Sequence, residues 1–291
     1  MKDAEEFIRQ LAEDRHSGAS EIVVRVAEFL RTDIDEWSTD LTKLAAFGLK
    51  CIGAQPSMAP LINLFNDLLW KIQESSSGPA GADQVLDLYT ERPVFPALPV
   101  EFCPPGSCIL TVSYSSSVLG VLRATRDRID RVICLESRPL NEGRTMAEKL
   151  AESNIRATVT VDAAVVEMAA RADVAISGAD CVYPDGLINK QGTHILALAA
   201  RRMDKQVVAV VSESKLIGQD AVERCMEISD QNPNEVWASP PENVSVENRY
   251  FESTPLDLFD SFLVDSKVLD RNELLVELKR LRIHPLLTVS K

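Results

Sequence analysis

The densest run of chemistry-bearing residues lies past the middle of the chain, where Ser177-Gly178-Ala179-Asp180 is followed by Asp185-Gly186-Leu187-Ile188-Asn189-Lys190-Gln191-Gly192-Thr193. Small residues ahead of Asp180 let a substrate approach its carboxyl, and partial burial of a lone acid raises its pKa towards general acid or base work. Asn189 and Lys190 stand where an amide and an ammonium can orient a phosphate at the start of a following helix. A plainer reading makes Asp185-Gly186 a turn and Asp180 a loop-capping acid. Upstream, Ser113-Tyr114-Ser115-Ser116-Ser117 directly precedes a helical pattern. Unpaired backbone N–H groups and serine hydroxyls there suit a phosphate without any lysine, and they suit ordinary helix capping equally well. Between the two clusters, Glu136-Ser137-Arg138-Pro139 runs into Asn141-Glu142-Gly143-Arg144. An acid at the end of a second strand is where dinucleotide enzymes grip a ribose, but the first turn has no GxGxxG, so NAD is not favoured and no cofactor is expected. Arg138 and Arg144 either reach a ligand or pair with Glu136 and Glu142.

These clusters need a sheet edge to hold them. Short Val- and Ile-rich runs at 107–112, 131–135, 157–161, 174–176 and 207–211 alternate with helical patterns near 116–127, 142–153, 163–172 and 193–204. Such alternation predicts βαβ units and a parallel sheet covered on both faces, a Rossmann-like doubly wound domain with ligands beyond the carboxyl ends of its strands. The first third reads as helices: an acidic one around Phe7, Ile8 and Leu11, then one from Gly18, one over 35–52 and one over 57–73. Residues 75–81 combine Ser, Gly and Pro without periodicity, and prolines at 93, 96, 99, 104 and 105 break up the next stretch of chain. The expected division is a helical domain over 1–105, with a linker near 75–105, and an α/β domain over 106–291.

The 291 residues carry 31 Lys and Arg against 44 Asp and Glu, a net charge of -13, with no basic stripe to hold a polyanion. Nucleic acid is therefore not expected as a direct ligand. Apolar runs such as 207–211 are far below the roughly 20 residues that span a bilayer, and the acidic start lacks a signal pattern, so no membrane contact and a cytoplasmic location are expected. Cys51, Cys103, Cys108, Cys134, Cys181 and Cys225 form no CxxC pair, and His16, His194 and His284 have no ligand spacing. Reduced buried thiols and no metal are expected.

The segments Ile109-Leu110-Thr111-Val112-Ser113-Tyr114-Ser115-Ser116, Glu136-Ser137-Arg138-Pro139 with Glu142-Gly143, Gly178-Ala179-Asp180 and Asn189-Lys190-Gln191-Gly192-Thr193 together resemble the translation initiation factor 2B alpha/beta/delta family. Its superfamily includes ribose 1,5-bisphosphate isomerase and methylthioribose-1-phosphate isomerase. Pro240-Pro241-Glu242-Asn243-Val244, Asn248-Arg249-Tyr250-Phe251-Glu252 and Thr254-Pro255 look like the family's C-terminal signature. The resemblance is strong over 107–285 and weaker over 15–70. It implies an N-terminal helical domain, a Rossmann-like C-terminal domain and, for the enzymes, aldose-to-ketose isomerisation of a sugar 1-phosphate. The enzymes are implied to use a cysteine at the end of the first strand and the aspartate of Gly-Ala-Asp.

Asp180 matches that aspartate, whereas the cysteine position falls on Ser113. An unassisted hydroxyl is a far weaker acid than a thiol. The resemblance further places Gly18 and Ala19 in the phosphate site, with Ser17 and Gln55 where the isomerases carry arginines, so two bidentate phosphate partners are missing. The phosphate-binding set expected on this basis is Gly18, Ala19, Ser115, Ser116, Asn189 and Lys190, joined by Arg138 and Lys215. Cys181, beside Asp180, is the sequence-local candidate to replace the thiol. The function expected is a non-catalytic or altered binder of a sugar phosphate or nucleoside monophosphate, with an isomerase as the alternative. A homo-oligomer is also expected, from the resemblance and from the apolar segment Leu258, Phe259, Phe262, Leu263 and Val264.

Overall fold

A computed structural model describes residues 2–14, 17–74, 78–91, 94–221 and 227–288. His16, Pro93 and Cys225, and residues 75–77 of the expected linker, lie outside the described residues. The helical region comprises α1 (Lys2–Glu13), α2 (Ala19–Arg31), α3 (Ile34–Thr39), α4 (Leu41–Ala54), α5 (Ala59–Glu74) and α6 (Gly78–Thr90). The single helix expected over 35–52 is two, because Asp40 leaves helical geometry and its carboxylate accepts the Lys43 N–H at 2.9 Å to cap α4. Residues 78–90, expected as linker, are helical. Proline is tolerated in the first turn, where its missing N–H would have no helical partner. Ala82, Val85, Leu86 and Tyr89 then repeat at helical spacing and are buried.

The α/β region follows the predicted order: β1 (Ser107–Val112), α7 (Ser116–Thr125), β2 (Ile129–Leu135), α8 (Glu142–Glu152), β3 (Ala157–Thr160), α9 (Val165–Arg171) and β4 (Val174–Ser177). After the hairpin β5 (Cys181–Tyr183) and β6 (Gly186–Lys190) come α10 (Thr193–Arg202), β7 (Gln206–Val211), β8 (Phe251–Thr254), β9 (Ser261–Val264), β10 (Lys267–Leu269) and α11 (Arg271–Arg280). The main sheet has the order β10-β9-β7-β4-β1-β2-β3, parallel except for the β9/β10 pair. The chain runs outward from β1 to β2 and β3, then returns to β4 on the other side of β1. Between the exits of β1 and β4 the order reverses, and that is the crevice where doubly wound sheets take ligands.

The alternation of apolar strands and helices did not announce the antiparallel sheet β5-β6-β8, whose first two strands lie between β4 and α10. One face of the main sheet is covered by α9, α10 and α11, the other by α7, α8 and the segment holding Phe95, Leu98 and Phe102. The helical region has its own core, which also includes Cys181, Ile188, Ile217, Ala221 and Leu287. Phe259, Phe262, Leu263 and Val264, expected to offer an oligomer surface, are buried instead, because β9 pairs with β7 and forms part of the sheet's core. Among the described residues no helix is long and apolar enough to cross a membrane.

Candidate functional site

The exits of β1 and β4 meet residues of the helical region around a cavity of about 130 Å³. At the end of β1, Ser113 is buried with φ +63°, and its N–H donates to Ser137 Oγ at 2.7 Å. Turning the chain there sends residues 114–116 into the cavity and starts α7. Ser115 caps that helix, its Oγ accepting the Val118 N–H at 3.3 Å. A Cβ on Gly178 would lie 2.5 Å from Ser115 Oγ, so glycine at the β4 exit is what lets the two loops touch.

Asp180 is held by its backbone from both sides of the cavity: its N–H donates to Ile188 O at 2.8 Å and its carbonyl accepts from the Ala59 N–H at 3.1 Å. Its carboxyl stands 3.9 Å from the Nζ of buried Lys215. Burial pushes the Asp180 carboxyl above the usual carboxylate range, opposed by the Lys215 and Lys190 ammoniums and reinforced by Glu142. Burial likewise pulls Lys215 below the usual lysine range, with Asp180 opposing. Lys190 leaves β6 to pair with Glu142 at 2.5 Å, its Nζ 4.8 Å from the ring centres of both Tyr250 and Phe251. Glu142 is available because Gly143 begins α8 tight against β2; a Cβ there would fall 1.8 Å from Leu135 O.

Ser113, Ser115, Ser116, Asp180, Asn189, Lys190 and Lys215 therefore share one cavity with Gly18 and Ala19 from the start of α2. Gly18 is the α2 N-cap and contributes no side-chain hydrogen bond. Gln55 lines the same wall, its Nε2 donating to Leu11 O at 2.6 Å and Asp14 O at 3.0 Å. Asp14 is ion-paired to Arg25.

Three expectations need correction. Arg138 is exposed and outside the cavity, since both oxygens of Asp162 accept backbone N–H groups, from Ser137 and Arg138 at 2.8 Å each, and the guanidinium reaches Val236 O at 3.4 Å. Its neighbour Arg144 pairs with Glu136 at 2.8 Å. Cys181 cannot stand in for a thiol at the site: it points into the helical region's core, fully buried, and burial pushes its pKa well above the ordinary thiol value. A phosphate at the start of α10 is also displaced, because Glu252 Oε1 already accepts the Gly192 and His194 N–H groups at 2.8 Å each. Asn189 there donates to Thr193 Oγ1 at 2.9 Å.

The initiation factor 2 subunit family matches residues 90–269, across both sheets and the cavity loops. The chain belongs to that family. A Pyrococcus horikoshii family relative described as eIF-2B subunit 2-like is 31% identical over 199 residues, covering 67% of this chain and 72% of its own. Methylthioribose-1-phosphate isomerase of Trichoplax adhaerens is 28% identical over 285 residues, covering 94% of this chain and 76% of its own. Ribose 1,5-bisphosphate isomerase of Methanocaldococcus jannaschii is 28% identical over 165 residues, 55% of this chain, which spans about half of that isomerase (54%). Among solved structures, the Pyrococcus horikoshii translation initiation factor eIF-2B shares the fold with a TM-score of 0.75 at 23% identity, covering 94% of this chain and 99% of that one. The tetrameric eIF2B-beta2-delta2 complex of C. thermophilum gives 0.67 at 20% identity, covering 94% and 93%.

Glu142, Gln231, Tyr250 and Phe251 also line the family member's cavity and were not among the expected site residues. Glu142-Gly143 and Tyr250-Phe251 stood inside quoted motifs, so their types were visible. Their convergence was not, because β8 reaches Lys190 only through the small sheet.

Proposed function

We propose that this chain is a non-catalytic family member that binds a sugar phosphate or nucleoside monophosphate in the cavity and uses occupancy to regulate or assemble. One observation carries the reading: the first turns of α2 and α7 line the same cavity as Asp180 and Lys215. A helix start offers N–H groups without helical partners and a partial positive charge. With α10 capped by Glu252, these two starts are where a phosphate fits. Both lysines already face carboxylates, Lys190 Glu142 and Lys215 Asp180, so backbone N–H groups and serine hydroxyls are the main phosphate partners. Hydroxyl groups of a sugar would donate to Asp180.

Against catalysis stands the lining itself. Among the described residues it contains no thiol, and Ser113 has no histidine beside it in the lining. The isomerase reading draws support from Asp180, whose raised pKa beside an ammonium suits proton transfer. A relative that is a subunit of a tetrameric complex supports assembly of this chain into an oligomer. Thermal shift with ribose 5-phosphate, ribose 1,5-bisphosphate and AMP tests binding; a ligand at 100 times its Kd adds about 2.7 kcal/mol. No shift with any of them would remove the phosphate reading. Turnover of ribose 1,5-bisphosphate or methylthioribose 1-phosphate at a rate on the order of 1 per second would replace it with the isomerase.

A further inference from the structure

The contact between Asp180 and Lys215 is 3.9 Å, long for an ion pair, so the two charges do not hold each other in place by a tight hydrogen bond. Something else must fix a buried ammonium there, since one left without a partner is strongly penalised. Lys215 lies in the turn after β7. On its own half of the molecule that turn is tied by Lys215 N–H to Ser212 O at 2.9 Å, Ile217 N–H to Val182 O at 2.9 Å and Glu213 N–H to Asp265 Oδ2 at 3.0 Å. From the helical region, Asn63 on α5 donates its Nδ2 hydrogens to Ser214 O at 2.7 Å and Leu216 O at 2.8 Å, the carbonyls on either side of Lys215. One amide nitrogen has two hydrogens, and both are used. One turn earlier on the same helix, Ala59 N–H binds Asp180 O.

We propose that Asn63 is the positioning residue of Lys215: α5 acts as a rigid ruler, holding the aspartate's backbone at Ala59 and the lysine's turn at Asn63, and so sets the separation of the two charged groups. The proposal concerns the pair itself and goes beyond the phosphate reading, because its test needs no ligand. The charged groups that bear on the pair are Lys190 and Glu142, which act on Asp180. Glu213 in the turn faces Asp67 of α5.

The test uses the full chain. Acylation of Lys215 by an N-hydroxysuccinimide ester is followed by peptide mass spectrometry across pH 6 to 11, with exposed Lys267 as internal reference. Only the neutral amine reacts, so the midpoint of the profile reports the titration of Lys215. In Asn63→Ala that remains folded by circular dichroism, the plateau rate relative to Lys267 rises about tenfold and the midpoint moves up towards that of an ordinary lysine, near 10.4. General loosening would also raise the relative rate at Lys190, the other largely buried lysine of the cavity, so the expected result is a change confined to Lys215. An unmoved midpoint overturns the proposal. Should Asn63→Ala not fold, Asn63→Gln, which carries both donors one methylene farther, is read in the same way: a smaller upward move supports the ruler, and none overturns it.

Discussion

The two walls of the cavity are built on different principles. The sheet wall is made of strand exits whose backbone is locked by local devices, Ser113 at positive φ, Gly178 against Ser115 and Gly143 against β2. The helical wall has few such devices next to the cavity; Gly18, Ala19 and Gln55 stand where they do because α2, α4 and α5 pack through a large apolar core. Charge is distributed just as unevenly: Asp180, Lys190, Lys215 and Glu142 come from the sheet wall, whereas the helical wall lines the cavity with the carboxylates Asp14 and Glu21, the former ion-paired to Arg25, beside uncharged Gly18, Ala19, Gln55 and Ser57, and, among the described residues, with no lysine or arginine. The sheet wall thus supplies the cavity's ammoniums and the start of α7, and the helical wall supplies shape and the start of α2. Perturbing one wall at a time separates the two contributions.

The largest effect should come from the helical core. Phe65 is fully buried, its ring 6.0 Å from that of Phe47 and filling the space beside Gly48. Phe65→Ala should cost about 3–5 kcal/mol in denaturant unfolding, and ligand affinity should fall because the start of α2 loses its support. If affinity survives in the folded fraction, the helical wall does not shape the site. Next comes Lys215→Met, expected to cost about 3 kcal/mol at neutral pH, the low end for a broken buried pair because the contact is long, by leaving Asp180 buried without its partner.

That cost should depend on pH in a defined direction. A carboxyl whose folded pKa is raised contributes stability below its unfolded pKa and loses it as pH rises through the folded value. Removing Lys215 raises Asp180 further, so the variant should be closest to wild type near pH 4 and weaken towards pH 7. A pH-independent loss would mean that the pair is not coupled.

Gln55→Arg adds to the helical wall the cation it lacks, and should tighten ribose 5-phosphate by roughly tenfold in calorimetry, about 1.4 kcal/mol, within the range of a charge-assisted hydrogen bond. Weaker binding would show that the phosphate does not face that wall. The smallest effect is reserved for Arg138→Ala, which should change stability by less than about 0.5 kcal/mol and leave binding unaltered, as the side chain is exposed and outside the cavity.

The same contrast explains what could be read from the residues. The parallel strands and the helices between them follow from a change of apolar period, and Asp180, Lys190 and Ser115 follow from strand exits that topology must bring together, whereas Lys215 came from the resemblance. The small sheet escaped because β5 has three residues and is followed at once by Pro184-Asp185, too short for a period to register. Helix α6 escaped because its first turn reads as Gly-Pro-Ala-Gly, local chemistry that packing overrides. Arg138 was misplaced for a different reason: its direction is set by Asp162, 24 residues away, through backbone hydrogen bonds that leave no mark in local sequence. The participation of Gly18 and Ala19 came from resemblance alone, since nothing in their spacing points across the molecule to β4.

The helical region's core closes over Cys181, Ile188, Ile217, Ala221 and Leu287, five residues that arrive from beyond the parallel sheet's fourth strand. A chain divided at residue 105 would strip water-shy surface from both fragments, and each fragment would then carry a sticky face matched only to the other. Such a molecule cannot be shuffled as two interchangeable cassettes. Its heritable unit is the whole seam, so substitutions around Ile188 or Leu287 should be accepted in step with changes in α4 and α5, and a chimera joining the helical half of one relative to the sheet half of another should fold only when those apolar partners travel together.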